Sequence, residues 1–232
     1  GDWNNCGCVV PHNRKTGEWT AAVNMNFGSA LEYALNQGAS LMTGKKMGLD
    51  EKPAAEMTSF EEVKAAFYRQ FDNLCRHSVI LTVEAQRLHR EMVPRPFLSS
   101  CNEHCLETGR DLSHGGAQYN IGPVITGIGL AVVANSLAAI QKLVFEEHRC
   151  DMATLAKALQ ANWNGYEELR TAAKAAPKYG NDDDHVDGIA REIANHFYDE
   201  IHQYHDIFGS PFLTAFMGIS NYIPMGRVLG AT

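Results

Sequence analysis

The segment Gly7-Cys8-Val9-Val10-Pro11 carries the side chain of this sequence best suited to covalent chemistry. A small residue, one thiol, two β-branched residues and a proline are typical of a short, buried, hairpin-like loop that holds a cysteine still. The chain contains no Cys-x-x-Cys metal motif, so thiol chemistry at Cys8 is one interpretation. A buried structural cysteine gives the same pattern, and this segment alone leaves both interpretations open.

Three residues that follow Cys8 could line a substrate site: His12, Arg14 and Trp19. A guanidinium can hold a carboxylate through two parallel hydrogen bonds, so Arg14 predicts a substrate that carries a carboxylate. The alternative is that His12 and Arg14 are exposed turn residues and that Trp19 packs in the core.

Other clusters of metal-ligand types are better explained without a metal. Cys101, His104 and Cys105 share one face of a predicted helix, but a fourth ligand is not evident, so we expect half-buried cysteines beside a surface histidine. The acidic run 182–184 lacks the ligand spacing of a calcium loop and is predicted to cap a helix. The histidine-rich helix end that begins at His196 lacks the HExxH pattern and is expected to be solvated. We therefore predict no metal site.

The composition excludes several classes of partner. The chain has 232 residues and a net charge of −7, which argues against nucleic acid and against an anionic membrane surface. The longest apolar stretch, 121–140, is interrupted by glycines and a proline, so no membrane span is expected. Six cysteines in a chain long enough to fold on its core favour reduced thiols, and no signal peptide is evident, so we expect a cytoplasmic protein.

Nucleotide binding is not expected either. Gly127-Ile128-Gly129 precedes an apolar helix, but Val132 stands where the dinucleotide fingerprint requires its third glycine. We predict no bound cofactor.

The pattern of apolar residues alternates between strand and helix signals. This order favours an α/β fold with mainly parallel strands. Strands are predicted at 20–26, 119–121 and 212–219, and helices at 29–35 (capped by Ser29), 59–92, 100–108, 131–147, 151–162, 164–175 and 186–205.

Together with the Cys8 loop, several segments resemble those of the glycyl radical enzymes, the pyruvate formate-lyase-like group, in the order in which that family has them. They are GGAQYN at 115–120, ANSLAAI at 134–140, LVFEE at 143–147, ANWNGYEELR at 161–170, KYGNDD at 178–183 and PMGRVLGAT at 224–232. The resemblance implies a barrel of parallel strands made from two half-sheets, wrapped by helices, with the cysteine on a loop inside. Residues 1–232 would form part of that domain, without its N-terminal half and its C-terminal glycyl radical loop.

The resemblance also implies a mechanism and partners. Cys8 would become a thiyl radical that takes a hydrogen atom from a small-molecule substrate. The glycyl radical would be installed after translation on a segment outside this chain by a radical-SAM activating enzyme, and the enzyme would be a homodimer.

Two residues depart from the patterns of particular subfamilies. Val10 stands where dehydratases and the choline lyase carry a glutamate, and Gly7 separates Cys6 from Cys8 where pyruvate formate-lyases have adjacent cysteines. Without that general acid or base, carbon–carbon chemistry is favoured, as in arylacetate decarboxylases or fumarate-adding synthases. A dehydratase-type eliminase, or a catalytically silent barrel domain that serves in assembly, remain alternatives.

Overall fold

The computed structural model describes residues 3–6, 10–13 and 15–217, with backbone alone for 3–6, 10–12 and 19. Strands and helices alternate along these residues. In chain order they are β1 (Trp3–Cys6), β2 (Val10–Asn13), β3 (Gly17–Trp19), β4 (Ala22–Asn26), α1 (Phe27–Leu35), α2 (Phe60–Met92), α3 (Pro96–Ser99), α4 (Glu103–Thr108), β5 (Tyr119–Ile121), β6 (Val124–Ile128), α5 (Leu130–Ile140), α6 (Met152–Gln160), α7 (Glu167–Ala175), α8 (Asp184–His202) and β7 (Leu213–Phe216).

The described strands form three small sheets. Strands β1 and β2 pair antiparallel, β3 and β5 pair in parallel, and β6 lies between β4 and β7 in the third sheet. The parallel partners β3 and β5 are distant in sequence, since helices α1 to α4 lie between them. Such a crossover is typical of α/β proteins, so the predicted fold class is confirmed.

The chain divides into two compact units. The first contains residues up to Asn24 together with 76–126 and 198–215, and the second contains 25–75, 127–197 and the residues from Phe216. The core of the second unit is aromatic: the Phe27 ring lies 4.7 Å from that of Phe71 and 5.0 Å from that of Phe197, both edge-on. Edge-to-face pairs of buried rings add to the free energy gained from burying their area.

The core of the first unit combines strand and helix residues. Ile125 on β6, Ile201 on α8 and Phe212 before β7 have no exposed surface. A separate small cluster consists of Cys105, Leu112 and Ala117.

The structure confirms most predicted elements and corrects three details. Asn26 caps α1 through its side-chain oxygen, which accepts from Gly28 N at 3.0 Å, so the predicted cap Ser29 was wrong. The predicted helix 100–108 begins only at Glu103, where Asn102 caps α4. The predicted helix 131–147 changes to π-helical geometry at residues 141–146.

The described residues include no membrane-spanning candidate. Within 3–6, 10–13 and 15–217, no helix combines the length and the apolar character that crossing a bilayer requires.

Candidate functional site

Two antiparallel strands flank the predicted cysteine loop. Strands β1 and β2 pair from Trp3↔Asn13 to Cys6↔Val10, so residues 7–9 are the connection between two paired strands. This pairing agrees with the hairpin-like segment predicted from the sequence. Cys8 itself lies outside the described residues, and its catalytic role stays a prediction.

The other predicted site residues follow on β2 and β3. His12 lies opposite Asn4 in the hairpin, and Trp19 lies opposite Ile121 in the β3–β5 pair. Arg14 falls outside the described residues, and only the backbone of His12 and Trp19 is described. Whether these side chains meet Cys8 therefore remains a prediction.

A turn between β2 and β3 fixes the chain just after the hairpin. The side-chain oxygen of Asn13 accepts hydrogen bonds from Lys15 N at 3.0 Å and from Thr16 N at 3.2 Å. Glu103 N donates to Lys15 O at 2.9 Å, which ties the turn to the start of α4. An asparagine that bonds the backbone two residues ahead mimics a backbone turn and limits its mobility.

A buried carboxylate on β3 is neutralised by an arginine that precedes α3. Glu18 is 8% exposed, and its Oε1 lies 2.8 Å from Nη1 of Arg95. A buried charge needs a partner of opposite sign, because removal from water is costly. This pair was not predicted, since nothing in the local sequence around Glu18 indicates which cation it meets.

The backbone of Arg95 is held by a second carboxylate, that of Asp111. Asp111 accepts from Arg95 N at 3.0 Å, from Ser99 Oγ at 2.8 Å and from Ser113 Oγ at 2.6 Å. Burial acts to raise the pKa of Asp111, but the hydrogen bonds from Ser113, Arg95 and Ser99 outweigh it and hold that pKa well below its ordinary value. Asp111 therefore stays ionised and locks the segment that carries Arg95.

A third buried network holds the residue after β3. Asp206 Oδ2 accepts from Gln86 Nε2 at 3.0 Å and lies 3.2 Å from Thr20 Oγ1. Thr20 Oγ1 is also 3.1 Å from Ile121 O, so its hydroxyl hydrogen has two acceptors in reach. The other oxygen of Asp206 accepts from Phe208 N and Ser210 N, both at 2.9 Å. The segment from Glu18 to Thr20 is therefore anchored on two sides by buried polar groups.

The motifs that suggested metals take structural roles. His104 Nδ1 lies 2.8 Å from Gly116 O, while Cys101 is exposed and Cys105 is buried. Asp183 Oδ1 accepts from His185 N at 3.1 Å at the start of α8, so the predicted capping role of this acidic run is confirmed. In the part of the chain that the structure describes, no group of three His, Cys, Asp or Glu side chains could hold a metal ion.

His196 is partly exposed, as expected for a solvated helix face, and it also has specific partners. Its Nε2 lies 2.5 Å from Asp72 Oδ1, and its ring packs on Tyr68 at 4.5 Å between centroids. Burial, together with the negative charge and hydrogen bond of Glu192, raises the pKa of Tyr68. This cluster joins α2 and α8 within the second unit.

Comparisons with known proteins agree with the resemblance seen in the sequence. A family model described as "Pyruvate formate lyase-like" matches residues 1–226. The trans-4-hydroxy-L-proline dehydratase of Clostridioides difficile is 33% identical over 209 residues, which are 90% of this chain and 26% of that protein. The (2S)-3-sulfopropanediol dehydratase of Klebsiella oxytoca is 37% identical over 177 residues, which are 74% of this chain and 21% of that protein. Proteins named isethionate sulfite-lyase and indoleacetate decarboxylase also match.

A solved structure shows the same fold. The crystal structure of hydroxyproline dehydratase from Clostridioides difficile superposes with a TM-score of 0.87 at 30% identity, covering 99% of this chain and 30% of that one. The chain thus spans less than a third of the length of these relatives. It belongs to the pyruvate formate lyase-like family of glycyl radical enzymes and has that family's α/β fold with parallel strands.

Proposed function

We propose that this chain is the cysteine-bearing part of a glycyl radical enzyme, in which Cys8 takes a hydrogen atom from a small organic substrate. The observation that carries the proposal is the hairpin register, Cys6↔Val10, around Cys8 in a chain that matches the family over residues 1–226. Hydrogen-atom transfer requires a thiol held in a fixed position, and paired strands on both sides of the segment 7–9 support that role for Cys8.

Hydrogen-atom transfer does not require an ionised thiol. The glycyl radical, on a segment outside this chain, supplies the one-electron chemistry that the family uses, and a radical-SAM activating enzyme installs it. The S–H bond of Cys8 would break as its hydrogen atom passes to the glycyl radical carbon, which leaves a thiyl. The S–H bond would form again when the sulfur takes a hydrogen atom from a substrate C–H bond, which leaves a substrate radical. Cys8 therefore needs no lowered pKa, only a fixed position in a site that excludes water and reductants.

The described scaffold supports such a fixed position. The hairpin continues through the Asn13 turn into β3, where Glu18 is paired with Arg95 and the following Thr20 contacts Asp206. Buried charged hydrogen bonds of this kind hold backbone more firmly than exposed ones. The residues that follow Cys8 are thereby attached to Arg95 before α3, to Gln86 on the later part of α2 and to β5, which all lie in the first unit.

The residue types around Cys8 suggest the substrate and the reaction. Arg14 is proposed to hold a substrate carboxylate, with His12 and Trp19 beside it. Val10 provides no proton-transferring group next to the thiol, so the proposed reaction breaks or forms a carbon–carbon bond rather than expelling water or an amine.

Elimination is the second candidate, favoured by the names of the relatives. Two of the proteins that this chain resembles are dehydratases, one acting on trans-4-hydroxy-L-proline and one on (2S)-3-sulfopropanediol. In an eliminase of this type, a group other than residue 10 must assist the leaving group.

Paired cysteine variants test the proposal in the full-length protein. After anaerobic activation, Cys8→Ala is expected to abolish substrate consumption while the thermal unfolding midpoint and the glycyl radical signal in electron paramagnetic resonance persist. Cys6→Ala, two residues away, is the matched control and is expected to retain most of the activity. If Cys6→Ala abolished turnover and Cys8→Ala did not, the assignment of the thiyl residue would be wrong.

Sequencing the gene beyond the codon of Thr232 separates the enzyme from a catalytically silent barrel domain. An Arg-Val-x-Gly-type loop there supports the enzyme, and an immediate stop codon supports a role in assembly. Size-exclusion chromatography of the full-length protein then tests the proposed homodimer.

A further inference from the structure

A small polar cavity in the first unit lies beside the anchoring networks described above. Its volume is about 10 Å³, and Thr20, Gln86, His89, Arg95 and Ser113 supply its polar lining. A buried water molecule needs about this much space and two to four polar partners. The cavity therefore has room for one water molecule and offers it polar partners.

The amide of Gln86 is only half satisfied. Gln86 is 3% exposed, and its Nε2 donates to Asp206 Oδ2 at 3.0 Å, but its Oε1 is buried without a hydrogen-bond partner. Roughly nine in ten or more of buried polar groups have a hydrogen-bond partner, because an unpaired buried group has lost its hydration without replacement. The unpaired oxygen therefore indicates that a donor is bound there.

Rotation of the amide does not remove the unpaired atom. A flipped Gln86 would turn Oε1 toward the carboxylate oxygen of Asp206, which is itself an acceptor, and would lose the bond at 3.0 Å. The orientation of the amide is thus fixed by Asp206. Since Gln86 also lines the cavity, a donor bound in the cavity is next to its side chain.

The cavity lining supplies complementary groups. Arg95 carries five N–H donors, of which Nη1 contacts Glu18. The hydroxyl oxygens of Thr20 and Ser113 can accept a hydrogen bond. One water molecule could therefore donate to Gln86 Oε1 and to a hydroxyl oxygen, and accept from Arg95.

We propose that this cavity binds one ordered water molecule that donates to Gln86 Oε1 and accepts from the Arg95 guanidinium. The water joins the Gln86–Asp206–Thr20 network to the Glu18–Arg95 pair, so that the segment from Glu18 to Thr20 is held by one continuous set of hydrogen bonds. The proposed water supports the scaffold, and its presence does not depend on the chemistry assigned to Cys8.

High-resolution crystal structures of the full-length wild-type protein and of Gln86→Leu test the proposal. The wild type is expected to show a water peak about 2.7–3.2 Å from Gln86 Oε1, which is absent from the variant. Gln203→Leu, at an exposed position on the same unit, is the matched control and should keep the water.

A solution measurement covers the case in which Gln86→Leu fails to fold. Oxygen-17 magnetic relaxation dispersion counts long-lived internal waters, and the wild type is expected to hold one more such water than Gln86→Met, which keeps the side-chain length but offers no acceptor oxygen. A wild-type map without a water peak, or with Gln86 Oε1 bonded directly to a protein donor, would overturn the proposal.

Discussion

Arg95 Nη1 lies 2.8 Å from Glu18 Oε1, at the strand that follows the cysteine hairpin. The side chain of Glu18 is 11% exposed and that of Arg95 is 37% exposed, so the carboxylate is the more deeply buried partner. An uncompensated buried carboxylate is costly, which makes the pair a determinant of where β3 lies.

Removal of Arg95 should destabilise the protein through the unpaired Glu18. We expect Arg95→Met to lower the free energy of unfolding by about 2–4 kcal/mol, toward the lower end of values for buried pairs because Arg95 is partly exposed. Arg87→Met is the control, since its pair with Glu84 is about half exposed on both sides and should contribute no more than about 1 kcal/mol. Denaturant titration measures both, and equal losses in the two variants would contradict the importance assigned to Glu18.

Asp111 should contribute stability that depends on pH. Its pKa in the folded protein is below the ordinary value, so the ionised form stabilises the fold above about pH 4. This contribution is lost as the pH falls through the lowered pKa. Asp111→Asn should therefore cost about 1.5–3 kcal/mol at neutral pH and progressively less in acid.

Thermal unfolding of wild type and Asp111→Asn at several pH values measures this dependence. Glu107→Gln, at an exposed position on α4, serves as the comparison and should change the midpoint little at any pH. A constant difference between wild type and Asp111→Asn from neutral pH to pH 2 would refute the role of the ionised carboxylate.

Two glycine-to-alanine substitutions should have opposite effects. A Cβ at Gly122 would overlap the backbone oxygen of Pro211, whereas a Cβ at Gly188 on α8 would meet nothing within 4 Å. Gly122→Ala should destabilise the protein by more than about 2 kcal/mol, because backbone must move. Gly188→Ala should stabilise it by about 0.5–1 kcal/mol, because alanine favours the helix. Calorimetric midpoints that shift in the same direction would be inconsistent with this packing.

Helix α2 illustrates what the sequence could and could not predict about the fold. The predicted range 59–92 agrees with the structure, because acidic residues fill the first turn and prolines follow the helix. Helical spacing puts Phe67, Phe71 and Leu81 on one apolar face, and Phe67 and Phe71 are buried. Leu81 is 63% exposed, while Cys75 and Val79 are buried. Periodicity in one helix gives a face, but the neighbouring elements decide which residues of that face are covered.

Strand β6 was not predicted, because its local sequence lacks the alternating pattern of a strand. Val124–Ile128 is a short apolar run between glycine-rich segments, and such runs give no alternating pattern when both faces are buried. In the structure, Val124, Ile125, Thr126 and Gly127 are all buried, as expected for an inner strand.

In the candidate site, too, local features were predictable from the sequence and long-range contacts were not. The pairing of the strands on either side of residues 7–9 agrees with the hairpin-like loop predicted from five consecutive residues. The partners of Glu18, Thr20 and Gln86 were not predictable, because Thr20 and Asp206 are 186 residues apart and no spacing rule connects them. Such contacts depend on the topology of the sheet and helices rather than on local sequence.

The final prediction concerns Val10 and Arg14 and separates the two candidate reactions. Because Val10 cannot transfer a proton, the activated full-length protein is expected to consume arylacetates, or fumarate with a hydrocarbon, and to leave glycerol, propanediol and choline unchanged.

Arg14→Gln should raise KM for carboxylate substrates at least about tenfold, since a bidentate charged contact is lost. The neighbouring Lys15→Gln is the control, and it should alter KM little because Lys15 is exposed and its side chain lies 3.6 Å from Glu103. The measurement is anaerobic product formation with the activating enzyme present. Rapid dehydration of glycerol or cleavage of choline would refute the carbon–carbon assignment and favour elimination, while the role of Cys8 would still be decided by its own variants.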